Sequence, residues 1–120
     1  MDLEAIRRSV ENEINNYQYS VPAPAAGNPI SAERIKAELE AMLAALISPH
    51  WVEVELRDTF AQISAEAVPS RNCVAVADDA RGNLLLFDPV ENEFFLAQND
   101  EGQLCSIGVR GDAVGCFMAR

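Results

Sequence analysis

His50 is the only histidine in the chain, and Cys73, Cys105 and Cys116 are its only thiols. Any Ser-His-Asp or Cys-His arrangement would need His50 as its base, because the nucleophile must hand its proton to a neighbouring imidazole. His50 lies between Pro49, read as a helix stop, and Trp51, a boundary position that suits a structural histidine. No Cys or His pair has chelating spacing, so neither a metal nor a cofactor is expected. The thiols are odd in number, far apart and set in apolar runs, which suits reduced, buried side chains. Asp78, Asp79 and Asn83 in DDARGNL are oxygen-rich enough for calcium, but no glutamate stands at the closing position; a turn accounts for them. Carboxylate pairs for acid–base work need one partner in an apolar pocket, whereas every Asp and Glu reads as lying in a turn or on a polar side. Arg110-Gly111-Asp112 reads as a hairpin turn, and no glycine-rich phosphate loop is present. The expectation is a protein without a catalytic centre.

What chemistry remains is electrostatic. Nineteen acidic against nine basic residues give a net charge of -10. Such a surface repels phosphate backbones and anionic lipid, so neither nucleic acid nor membrane is expected as a partner. A basic protein, a toxin or a secreted effector, fits better, because complementary fields raise encounter rates. The candidate partner-binding residues are Trp51, Glu53, Glu55 and Asp58 on an early strand and Asp78, Asp79, Glu91 and Glu93 in later turns.

The elements that position these residues follow from periodicity. Leu3, Ile6, Val10, Ile14 and Tyr17 recur every three or four positions, which predicts a helix over 1–17 ending near Asn15 and Asn16. Its narrow stripe must lie against this domain or a second copy, so a homodimer is open. Three prolines make 18–30 an extended connector. Ser31 as cap, with Ile30 and Ile35 as a hydrophobic staple, opens a second helix over 31–48. Its apolar face is Ile35, Leu39, Met42, Leu43, Leu46 and Ile47, and Pro49 ends it.

From 51 to 120 the pattern is that of an antiparallel sheet. WVEVELRD alternates, with Val52, Val54 and Leu56 on one side and Trp51, Glu53, Glu55 and Arg57 on the other. Residues 59–68 fit either a helical turn or a strand, and a strand is preferred. CVAVA, NLLLFD, EFFLA, LCSIGV and AVGCFMA, separated by turn clusters, read as five more strands. NLLLFD and EFFLA are apolar on both sides of the pleat, so both faces must be covered, by helices, a curled sheet or a partner.

The stretch DDARGNLLLFDPVENEFFLA resembles a strand pair of the SUKH (SMI1/KNR4-like) superfamily, through Asp79, Gly82, Asn83, Leu84, Phe87 and Asp88. The resemblance implies an α+β domain that acts as an immunity protein, neutralising a co-encoded toxin. The expectation is therefore one α+β domain, two N-terminal helices packed on an antiparallel meander of five to seven strands. It would inhibit a basic toxin in the cytoplasm, since the N-terminus reads as neither a signal nor a membrane span. A secretion chaperone and a small-molecule-binding or enzyme accessory domain are the alternatives.

Overall fold

A computed structural model describes residues 2–17 and 32–120. The expected connector over 18–30, the Ser31 cap and the Ile30 half of the staple lie outside the described residues.

Helix α1 spans Leu3–Asn15 and buries Ile6, Val10 and Ile14, three of the positions its spacing selects. Asp2 caps it, its Oδ1 accepting from the amides of Glu4 and Ala5 at 3.1 and 3.3 Å. Helix α2, Ala32–Ala45, buries Ile35, Met42 and Ala45. It stops three residues short of the expected end, because the chain turns extended at Leu46 to begin strand β1, Leu46–Glu55. Leu46 and Ile47 are thus strand residues. Pro49, expected to end the helix, sits in β1 where the register shifts between Leu46 and His50. A bulge is where a missing backbone donor costs no ladder bond.

Strands β2 (Ser70–Asp78), β3 (Asn83–Asp88), β4 (Glu93–Asp100) and β5 (Gln103–Gly111) follow, each antiparallel to the one before. In an up-and-down meander of odd strand number the first and last strands point the same way. Closure must then be parallel, and it is made at one position, Glu55 beside Cys105. The fold is α+β, a five-stranded meander curled into a barrel beneath the two N-terminal helices.

Curling answers the two-sided hydrophobicity of β3 and β4. Val54, Leu56, Cys73, Ala75, Leu86, Phe95 and Ala97 fill the inside of the barrel. Val74, Val76, Ala77, Leu85 and Leu96 face outward and are covered by Ile6, Val10, Ile14, Met42 and Phe117 from the helices. Both sets leave water, at roughly 25 cal/mol per Å² of apolar area.

Two expected strands are helices. Residues 60–63 form the single turn α3, Phe60–Ile63, because Thr59 and Gln62 make a reciprocal capping box. AVGCFMA forms helix α4, Ala113–Met118, rather than a closing strand. Asp112 caps α4 by accepting from the Gly115 amide at 3.1 Å, and Glu13 of α1 accepts from the amides of Ala113 and Val114. Those two caps satisfy the free donors of the first turn, which a strand reading overlooks. Arg110-Gly111-Asp112 accordingly is not a hairpin turn but the junction of β5 and α4.

Candidate binding surface

The outer side of β1 is built by alternation. Val54 and Leu56 point inward and are buried, so Trp51, Glu53, Glu55 and Arg57 are turned outward, as their spacing predicts. Trp51 is 48% exposed and Glu53 is exposed. Glu55 is half-buried, its Oε2 accepting from Arg57 Nη2 at 2.6 Å, and Asp100 holds the other arm of Arg57 at 2.8 Å. The acidic end of the stripe is therefore locked and its Trp51–Glu53 half is open.

Beyond Leu56 the chain crosses the end of the barrel. The ladder sets Arg71 beside Val54, Asp88 beside Glu93 and Arg110 beside Phe95, so the apolar interior gives way to a ring of charge. Asp88 is completely buried. Its Oδ2 accepts from Arg71 Nη1 at 2.6 Å and Arg110 Nη1 at 2.9 Å, and its Oδ1 accepts from the Val90 amide at 2.9 Å. Burial alone would raise its pKa, but the bonds from Arg110, the Glu91 and Val90 amides and Arg71 hold it below the usual carboxylate range. Arg110 also donates to Asp58 at 2.9 Å, reaches Glu93 at 3.4 Å and lies over the Phe95 ring at 4.5 Å.

Asp58 ties this ring to α3 and to β5. Its Oδ1 accepts from the Gly108 amide at 3.1 Å, where β5 bulges and Gly108 takes φ +84°. A side chain at that angle would be strained, which is the use of a glycine there. The Asp58 and Thr59 amides both donate to Gln62 Oε1, at 2.8 and 3.1 Å. A cleft of about 190 Å³ remains between Leu56, Asp58, Gln62, Arg71, Glu93 and Arg110. That is smaller than the usual small-molecule site. Among the described residues no buried side-chain N or O lacks a hydrogen-bond partner, so the ring is closed on itself.

Two exposed apolar side chains stand on the α3 turn that borders this cleft. Phe60 is 83% exposed and Ile63 56%, both on the capped turn.

The eight expected site residues fall into three places. Trp51, Glu53 and Glu55 share the outer side of β1. Asp58 and Glu93 are bound into the charged ring, and Glu91 stands exposed on the rim of its cleft. Asp78 ends β2 and Asp79 opens the β2–β3 turn, both beside α2 and α4. Asp78 is exposed, its Oδ1 accepting from the Ala80 amide; the Asp79 side chain is only 4% exposed. Asp79 accepts from the Arg81 amide at 2.8 Å and from the Asn83 amide and Nδ2 at 3.0 and 2.8 Å, a turn-building role like that read for DDARGNL. Arg71, Asp88 and Arg110 escaped the sequence reading, and Asp88 overturns the expectation that every carboxylate sits on a polar side. A signal existed: Leu84, Leu86 and Asp88 share one parity in a strand, as do Arg71, Cys73 and Ala75.

Among the described residues no group of three or more His, Cys, Asp or Glu side chains could hold a metal, and no helix is long and apolar enough to cross a membrane. Compared with known proteins, the chain matches no family model, no curated protein and no solved structure.

Proposed function

We propose that this is a non-catalytic binding protein that recognises a basic protein partner through the outer side of β1, Trp51 and Glu53 foremost. The observation that carries the reading is the half-exposed Trp51 beside the exposed Glu53, on a strand whose opposite side is buried. An aromatic anchor next to a free carboxylate is the composition of a binding hot spot for a cationic surface.

The charge distribution supports it. Arg7, Arg8, Arg57, Arg71, Arg110 and Arg120 are all engaged in ion pairs, whereas Glu53 and Glu91 make none among the described residues. Glu53 and Glu91 therefore present uncompensated negative charge at the surface of a chain whose net charge is -10. The more specific form of the proposal is an immunity-type inhibitor of a basic toxin, which the SUKH resemblance supports. Three buried thiols suit a reducing compartment such as the cytoplasm.

The test is capture from native cells with wild-type and Glu53→Lys baits at two salt concentrations. The proposal predicts a basic protein retained at low salt, depleted at high salt and lost from the E53K bait. Retention on both baits regardless of salt would refute it.

A further inference from the structure

β1 is paired along its length on one edge only. It matches β2 from His50 to Glu55 without a break, but on its other edge it meets β5 at the single pair Glu55–Cys105. The reason is geometric. β5 begins at Gln103, two residues before Cys105, so a parallel neighbour runs out at Glu53. From Leu46 to Val52, β1 overhangs, and among the described residues no strand lies along that edge. Within His50–Val52 the backbone groups that point away from β2 then have no ladder among the described residues to receive them. Ser48, His50, Trp51 and Glu53 are all exposed.

We propose that the open edge of β1 over His50–Val52 is a strand-addition site for an extended, basic segment of a partner protein. This rests on the binding reading above and gives it a mode: main-chain ladder for affinity, side chains of alternate parity for specificity. Two residues choose the occupant. Pro49 sits in the bulge within the overhang and limits the ladder to the residues after it. Glu53, at the end of this edge, has no ion pair among the described residues and complements a lysine or arginine on an added strand. A second copy of this chain is the disfavoured occupant, because self-pairing would bring together two bodies of net charge -10.

Trp51 is the chain's only tryptophan and stands in the site, so its emission reports occupancy directly. The probes are capped heptapeptides of alternating lysine and valine, the same peptide N-methylated at alternate residues, and a glutamate–valine counterpart. The lysine peptide should shift Trp51 emission saturably and slow exchange of the outward-facing amides of His50–Val52 by about tenfold or more. N-methylation, which removes ladder donors but keeps the charge, should weaken binding by about tenfold or more, and the glutamate peptide should not bind. Equal binding of the methylated peptide would overturn strand addition while leaving acidic recognition standing. Binding of the glutamate peptide, or no binding of the lysine peptide up to millimolar concentration, would overturn the proposal outright. So would sedimentation showing a dimer whose exchange protection falls on this same edge.

Discussion

Asp88→Asn is the sharpest perturbation of the architecture, because it changes one charge at a completely buried position and almost no volume. Asparagine can still accept from the Val90 amide, which holds the β3–β4 turn. It replaces the acceptor of Arg71 and Arg110, now at 2.6 and 2.9 Å, with an amide or a neutral oxygen. Bonds to charged groups contribute about 1.5–3 kcal/mol each. The two guanidinium side chains keep 26% and 19% of their exposure, and Arg110 retains Asp58 and Glu93, so water and neighbours recover part of the loss. A net cost of about 2–3 kcal/mol follows, or a melting-temperature fall of roughly 8–12 °C for a domain of this size. Urea unfolding at neutral pH measures it, with an unchanged slope showing that the folded state is the same. The pH dependence supplies a second check. Asp88 is held below its ordinary value of 3.8, so its contribution is present above that value and lost as pH falls through the lower folded value. The gap between wild type and D88N should narrow in acid. A cost under about 0.5 kcal/mol, or a gap constant down to the acid transition, would refute the account of the ring.

Other outcomes follow from single positions. Ala80 sits at φ +62° in the β2–β3 turn, so Ala80→Gly should stabilise the protein by about 0.5–1 kcal/mol in the same urea assay. Burial pushes the Cys73 and Cys116 thiols up to about 11, so native protein should resist alkylation at pH 8 and react fully once denatured. Thr59→Ala removes the hydroxyl half of the α3 capping box and should cost about 1 kcal/mol locally, read as roughly fivefold faster exchange of the Gln62 amide with little change in global unfolding.

Much of the fold was legible because periodicity is a local property. The α1 stripe, the β1 alternation and strands β2 to β5 all stand where runs of one period begin and end. Apart from α3, whose Thr59–Gln62 capping box is local, the failures share a cause: each depended on a partner remote in sequence. AVGCFMA is apolar enough for a strand, and becomes helical because Asp112 and Glu13, the latter about a hundred residues away, cap its first turn. Pro49 reads as a helix stop until the β1–β2 register shows a bulge that tolerates it. Asp88 reads as a turn residue until the curl of the sheet brings Arg110 to it. The candidate surface was legible in part for the same reason. Trp51 and Glu53 follow from alternation alone, whereas the locking of Glu55, Asp58, Asp79 and Glu93 depends on tertiary neighbours.

The central claim is that an outward carboxylate and an aromatic ring on β1 bind a cationic protein surface. It is tested most directly by the affinity of the purified partner for wild-type and Glu53→Lys protein, measured from about 0.05 to about 0.5 M salt. The account predicts wild-type binding that weakens by about tenfold or more across that range, and an E53K variant that binds far more weakly at every salt. Affinity flat in salt and equal for the two proteins would contradict it.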